Sequence, residues 1–455
     1  SGLSACKPAS FWELRIVSLL KRKEVPNVFL MDKERLKYVL LESERLPLPA
    51  IRPRALQLPV DGGKVVALVG IRRSGKTFIL LETIRRLVAG GVDRRQIIQL
   101  SFEDDRLHPL RPDEYDLILQ AHAELHPDLA GRPRYLFLDE VQSAPGWERF
   151  VRRLHDTRVG PVFVTGSSSH LLTREIATGL RGRCLSFEVF PLSFPEYLGF
   201  RGIAVERYSR DSEAAASAAF GDYLETGGLP EVVLADPALR SRVLKEYVDL
   251  VFYRDLVDRH RLASPLVMRE LLRHCFASPA SLLNPHKLYH DFRSRGLPLG
   301  KDTLYRYVAL LEESFLVFPV PVAERSLRKR AMRPKKLHVI DWALGYPYQP
   351  GEMIDRGRRL ENAVFLHHRR RREDLGYVAG PPEIDLVVGS ARPEAWINSA
   401  WTLSDGATWE RETAGLVASG GPPRRLLVAH ETAGSTPPAG VQVVEAWRHL
   451  LGWTA

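Results

Sequence analysis

The 455-residue chain has little sulfur, with three cysteines and four methionines. Cys6, Cys184 and Cys275 are too scattered for a metal-ligand spacing and too few for a disulfide framework, which fits a reducing compartment. No apolar run reaches the ~18–20 residues that a membrane span needs, so no membrane partner is expected. Ser1 to Ala5 lacks a charged start followed by a long apolar core, so no secretory signal and a cytoplasmic location are expected. Internal repeats and long low-complexity segments are also missing. What is present is globular in composition, 45% hydrophobic and 26% charged. That is enough for about two to four domains, each with its own core.

Charge is unbalanced, with a formal net of +10. The excess is clustered. Arg325 to Lys336 holds seven basic residues and no acid, and His367-His368-Arg369-Arg370-Arg371-Arg372 forms a second cluster. Clustered cations are an electrostatic footprint for nucleic acid, here duplex DNA. They are also an ordinary way to solvate a helix.

The most informative stretch is Gly70-Ile71-Arg72-Arg73-Ser74-Gly75-Lys76-Thr77. It follows the apolar run Val65 to Val69 and opens a helical segment, Phe78 to Leu87. Strand, glycine-bounded loop, Gly-Lys-Thr and helix make a phosphate-binding loop in its expected context. The glycines let successive N–H groups point at phosphate oxygens, and the helix N-terminus adds partial positive charge there. Gly70, Arg73, Ser74, Gly75, Lys76, Thr77 and Phe78 are the candidate contacts to ATP. Lys76, expected to be solvated, reaches the β- and γ-phosphates, and Thr77 puts its hydroxyl on Mg²⁺.

Tyr135-Leu136-Phe137-Leu138-Asp139-Glu140 lies downstream, 63 residues from Lys76 to Asp139, with room for two further strand–helix units between. Four apolar residues make a buried strand that ends in two carboxylates. Asp139 is the candidate Mg²⁺ partner, through water, and Glu140 the group that polarises the attacking water. Pro161 to Thr165 reads as another strand. At its end Ser167 or Ser168 is a candidate sensor of the γ-phosphate, or part of a plain turn. Arg181 and Arg183 are candidate arginine fingers reaching into a neighbouring subunit of a homo-oligomer, or a solvated basic turn.

Five regions follow from the pattern. Residues 1–60 are a helical lead-in, with helices expected at Phe11 to Lys21 and Asp32 to Ser43. Residues 61–200 alternate strand and helix, the signature of a parallel sheet covered on both faces. Helices are expected there at Pro112 to Leu125 and Trp147 to Thr157. Residues 201–264 are a helical linker or lid. Residues 265–325 read as three helices and a strand, a winged helix-turn-helix whose third helix offers Lys301, Thr303, Tyr305 and Arg306 to a DNA groove. Arg328, Lys329 and Arg330 add phosphate-contact candidates. Residues 326–455 form a separate α/β unit with its first strand at Leu337 to Asp341.

This order of parts resembles the large prokaryotic family of AAA-type ATPases with a C-terminal domain of unknown function, common in archaea. The match rests on Gly70 to Thr77, Leu136 to Gln142, Thr165 to Ser168, Leu180 to Arg183, Phe190 to Tyr197 and Gly227-Gly228-Leu229-Pro230-Glu231. The resemblance implies a P-loop core and a restriction-endonuclease-like C-terminal unit with a helix Glu, a strand Asp and a Glu-x-Lys as nuclease ligands. Glu361 and Asp385 fall at the first two positions. The third reads Asn398-Ser399-Ala400, lacking both an acidic ligand and a lysine. Metal-assisted hydrolysis needs that charge, so a non-cleaving scaffold is expected. The expected activity is Mg²⁺-dependent ATP hydrolysis coupled to DNA binding or remodelling. A regulatory nucleotide switch is the alternative, and an ATP-regulated nuclease the weaker one.

Overall fold

The computed structural model describes residues 31–167, 179–180, 182–297, 299–348, 355–418, 421–432 and 436–453. The expected helix Phe11 to Lys21, Ser168 and Arg181 lie outside them.

Helix α1 (Lys33–Arg45) starts at Asp32, whose carboxylate accepts the Glu34 N–H. The first sheet follows, built from β1 (Val65–Val69), β2 (Ile97–Ser101), β3 (Tyr135–Asp139), β4 (Val162–Gly166) and β5 (Cys184–Glu188). All pairings are parallel, in the order β2-β3-β4-β1-β5. The connecting helices are α2 (Lys76–Ala89), α3 (Asp116–Leu125) and α4 (Trp147–Asp156). Successive residues of β1 point to opposite faces. Val65, Ala67 and Val69 pack into one core, while Val66 and Leu68 meet Ile79, Leu80 and Ile84 of α2 in the other. Burial on both faces explains why these strands read as unbroken apolar runs.

One strand–helix unit, β2–α3, lies between α2 and β3, where the spacing left room for two. The rest of the length is taken up by turns from Phe102 to Tyr115. Helix α3 begins at Asp116 rather than Pro112 because Glu114 closes the preceding turn, accepting the N–H groups of Arg111 and Met31.

After β5 come α5 (Phe194–Arg201), α6 (Arg210–Thr226), α7 (Pro230–Leu234) and α8 (Arg240–Leu250). Ser193 and Glu196 cap α5 reciprocally. A π-helical stretch, Val251–Asp258, continues α8. The break between α6 and α7 falls at Gly227, φ 76°, where a Cβ would lie 2.3 Å from Asp341 Oδ1. Asp341 is buried and accepts the Gly228 N–H at 2.7 Å and the Ala343 N–H at 2.9 Å. Gly227 is therefore required by close approach of a distant carboxylate, and Gly228 by the Leu192 carbonyl oxygen, which would lie 2.6 Å from a Cβ there.

Next come α9 (Pro265–Ala277), β6 (Ser281–Leu283), α10 (Pro285–Ser294), α11 (Lys301–Glu313), β7 (Val317–Val320), α12 (Leu327–Met332) and β8 (Lys335–Val339). Strand β8, expected to open the C-terminal unit, pairs instead with β6 and β7 in an antiparallel sheet, order β6-β8-β7. Lys335 is exposed, but Lys336, Leu337, His338 and Val339 are all buried, so both faces of β8 are covered after its first residue.

The remaining elements are α13 (Arg356–Arg370), β9 (Leu375–Val378), β10 (Ile384–Val388), β11 (Ala395–Thr402), α14 (Gly406–Leu416), β12 (Arg424–Glu431), β13 (Gln442–Glu445) and α15 (Ala446–Leu450). The five strands form a mixed sheet, order β13-β12-β11-β10-β9. Three arginines of the second basic cluster, read as a nucleic-acid footprint, reach β5 and the turn after it, while His367 and His368 pack against His449. Arg369 pairs with Glu188 at 2.8 Å, Arg370 donates to the carbonyl of Pro191 at 2.9 Å, and Arg372 donates to that of Ser186. These side chains fasten α13 to β5 and the turn after it. No helix among the described residues is long and apolar enough to cross a membrane.

Candidate functional site

Parallel register brings the carboxyl ends of β1, β3 and β4 to one edge, and the sequence motifs meet there. Gly70 leaves β1 at φ 152°, and a Cβ on it would lie 2.3 Å from the Val189 carbonyl oxygen. Arg73 (φ 57°) and Gly75 (φ 97°) are left-handed and curl the loop into the start of α2. Lys76 is buried rather than solvated. Its ammonium donates to the carbonyls of Gly70 and Ile71, both at 3.0 Å, and stands 3.8 Å from Glu140. Burial lowers its pKa, against the opposing charges of Glu140 and Asp139.

Thr77 Oγ1 donates to Asp139 Oδ2 at 2.7 Å. Thr165 donates its hydroxyl to Asp139 Oδ1 and accepts the Glu140 N–H at 3.0 Å. Burial pushes the Asp139 pKa up, and the two threonine hydroxyls pull it down. Glu140, at φ 50°, turns its side chain back toward Lys76 and accepts from Gln142 Nε2. Gln142 also donates to Ser167 Oγ at 3.4 Å, and Arg259 donates to the same oxygen at 3.2 Å. Ser167 is thus joined to Glu140 by a single side chain.

Two hard oxygens, Thr77 Oγ1 and Asp139 Oδ2, suit Mg²⁺, which takes one or two protein oxygens plus substrate phosphates. No group of three or more His, Cys, Asp or Glu among the described residues could hold a metal ion. A cavity of about 620 Å³ opens beside the loop. Its lining includes Lys76, Thr77, Glu140, Arg72 and Arg73 and the apolar side chains of Phe200, Pro230, Leu234 and Leu250. Phe78 also lines it and is 49% exposed.

Several long-range contacts of the loop carried no sequence signal. Arg54, in the proline-rich lead-in, donates to the Ser74 carbonyl at 2.7 Å and to that of Phe190 at 2.9 Å, and pairs with Glu196 at 2.8 Å. Arg72 bonds Asp255 at 3.0 Å and Glu103 at 2.9 Å, and Arg73 pairs with Glu231 at 2.6 Å. Arg183 lies elsewhere. It precedes β5, whose first residue is level with Val65, so it sits at the amino edge of the sheet, and it pairs with Asp156 at 2.6 Å.

On α11, Lys301, Tyr305 and Arg306 are exposed and Thr303 is half-buried. On α12, Arg328 and Lys329 are exposed and Arg330 is half-buried. Lys336, counted in the same basic run, is not on this surface. It is buried, with Nζ 2.6 Å from Glu361, 2.9 Å from Asp385 and 3.1 Å from Glu383. A lysine from β8 thus stands among these carboxylates as their counter-ion. Asn398 accepts the Asp385 N–H at 3.0 Å and donates to the Glu412 carbonyl at 2.8 Å. Burial, then Asp385, pushes Glu361 well above the usual carboxylate range and Glu412 up to about 7.

Residues 62–198 match a family described as an AAA domain, and residues 217–348 one described as a domain of unknown function (DUF8612). An uncharacterized protein of Haemophilus influenzae is 24% identical over 397 residues, 86% of this chain and 94% of that one. An uncharacterized protein of Methanocaldococcus jannaschii is 33% identical over 347 residues, 74% of each chain. The chain belongs to the AAA-type ATPase family with a C-terminal domain of unknown function. Among solved structures, the Walker-type ATPase paby2304 of Pyrococcus abyssi is similar at a TM-score of 0.40 and 16% identity, over 70% of this chain and 96% of that one. The segment matching the domain of unknown function in this AAA-type protein runs from within α6 to Tyr348. Its two ends touch, through Asp341 on Gly228 and the Trp342 indole N–H on the Leu224 carbonyl.

Two consequences are measurable. Burial raises the Glu196 pKa, but the Arg54 charge and hydrogen bond and the N–H groups of Ser193 and Ala55 outweigh it and hold the group at about 2. A depressed carboxylate stabilises the fold above its unfolded pKa, ordinarily 4.5, and that gain is lost as pH falls through about 2. Glu196→Gln should therefore cost about 3 kcal/mol at pH 7 and almost nothing at pH 2, read from urea unfolding. An equal deficit at both pH values contradicts the ion pair. Lys336→Met should cost about 3 kcal/mol at pH 7, because it leaves Glu361 and Asp385 facing each other without a cation. The deficit should shrink as pH falls, because the Glu361 carboxyl, which burial already pushes well above the usual range, takes up a proton. An unchanged unfolding curve at pH 7 contradicts the role of Lys336 as their counter-ion.

Proposed function

We propose that this AAA-type protein is a Mg²⁺-dependent ATPase whose nucleotide state is passed to a DNA-contacting C-terminal half. The observation that carries the reading is the Thr77–Asp139 contact, with Lys76 and Glu140 beside it. Thr77 and Asp139 would hold Mg²⁺, Asp139 through water, and the ion would neutralise charge on the β- and γ-phosphate oxygens. Lys76 leaves the loop carbonyls for the phosphates. Glu140 orients the attacking water and receives its proton. The apolar side chains of the lining, Phe200, Leu234 and Leu250 among them, accept the base.

The run α9–α11 with the sheet β6-β8-β7 has the make-up of a winged helix, and Lys301, Tyr305 and Arg306 are its exposed groove candidates. Arg328 and Lys329 add phosphate contacts. Glu361, Asp385 and Lys336 balance one another's charge, which favours a non-cleaving role for the C-terminal unit. The Arg369–Glu188 and Arg370–Pro191 contacts favour a second use, a slow switch in which nucleotide state alters how α13 sits on β5. DNA-independent turnover with slow nucleotide exchange would support that use.

The test is turnover with and without duplex DNA. Glu140→Gln keeps its shape and should bind ATP yet hydrolyse it at least ~100-fold more slowly, the low end of a general-base effect. Normal hydrolysis in that variant moves water activation elsewhere. Duplex binding should fall with salt at a log–log slope of about −0.9 per phosphate neutralised, and Arg328→Ala with Lys329→Ala should weaken both affinity and slope. No binding at roughly 50 mM salt removes the DNA reading.

A further inference from the structure

We propose that the arginine charge serving γ-phosphate transfer comes in cis from Arg72 of the phosphate-binding loop, so that each chain is complete without a neighbour's arginine. This rests on the ATPase reading above. Hydrolysis develops negative charge on the γ-phosphoryl oxygens, and a third cation beside Lys76 and Mg²⁺ stabilises it. The water oxygen bonds to the γ-phosphorus, the bond to the β–γ bridging oxygen breaks, its electron pair stays on ADP, and the water proton passes to Glu140.

Four observations single out Arg72. It lines the cavity beside Lys76, Thr77 and Glu140. Its guanidinium is fixed at two corners, Nε on Asp255 at 3.0 Å and Nη1 on Glu103 at 2.9 Å, and its side chain is 18% exposed. Neither bond uses Nη2, and a planar fork with five N–H donors can keep both partners while it meets an anion. Its backbone is fixed as well, because the Tyr247 hydroxyl donates to the Arg72 carbonyl at 2.9 Å.

Asp255 is the positioning residue. It is buried, and the same carboxylate oxygen faces Arg72 and, at 3.7 Å, Arg259, which holds Ser167. Asp255 stands in the π-helical stretch Val251–Asp258, a backbone departure that recurs at functional sites. A carboxylate from the helical region thus aims a cation of the loop before any substrate arrives. That is the preorganisation transition-state charge requires. Arg183, by contrast, lies at the amino edge of the sheet and is engaged by Asp156.

Arg72→Gln retains a donor for Asp255 and is compared with the wild type. ATP binding is measured by equilibrium dialysis, and single-turnover hydrolysis across a wide range of protein concentration. The expected result is ATP affinity within about threefold of wild type and hydrolysis slower by about 100-fold or more, the loss typical of removing one transition-state donor. Wild-type turnover per chain should not change with protein concentration, a readout that needs no variant. Unchanged hydrolysis in Arg72→Gln, or wild-type turnover per chain that rises with concentration, overturns the proposal and leaves the ATPase reading standing. A wild-type chain that binds and hydrolyses no ATP takes both down.

Discussion

The hydroxyl of Thr165 holds both acidic residues on which the site depends. It donates to Asp139 and accepts the N–H of Glu140. Thr165 lies on β4, so its hydroxyl ties the strand that carries the acids to β4, which in turn pairs through its backbone with β1, the strand that leads into the phosphate loop. The contact exists only because the three strands are parallel and in register, with Val164 level with Leu138 and with Ala67. Everything downstream inherits that alignment. Thr77 can reach Asp139, Lys76 can stand near Glu140, and Gln142 can link Glu140 to Ser167.

Around this edge, arginine–carboxylate pairs connect the loop to distant elements. Arg54 joins the Ser74 carbonyl to Glu196 of α5, Arg72 joins the loop to the π-helical stretch, and Arg73 joins it to Glu231 of α7. The helices they reach are closed on the C-terminal half by Asp341 and Trp342. The loop is thereby in polar contact with α5, α7 and the π-helical continuation of α8, and Asp341, two residues past β8, holds the turn between α6 and α7.

The phosphate loop, the Asp139–Glu140 pair and the alternating core were legible because each is a short local pattern whose geometry follows from adjacent residues. Ser167 was legible for the same reason, as the end of a strand. The pairs Arg54–Glu196 and Arg72–Asp255 were not, since their members lie 142 and 183 residues apart and meet only through packing. Lys336 shows how composition misleads. Seven cations in one run read as one solvated surface, but β8 turns one of them inward to the Glu361 and Asp385 carboxylates. The arginines of α13 misled in the same way, because nothing local marks Glu188 as their partner. Arg183 was read as a finger for a neighbouring subunit's site; in its own chain, strand register sets it at the amino edge of the sheet, paired with Asp156.

The central claim is that Lys76 and its loop form a phosphate site. Equilibrium binding of ATP with Mg²⁺ to the wild type and to Lys76→Ala tests it most directly, with thermal unfolding to verify that the variant is folded. The account predicts saturable wild-type binding and an affinity loss of at least about tenfold in the variant, the scale of one hydrogen bond to a charged group. Equal affinity in a folded Lys76→Ala chain would contradict it.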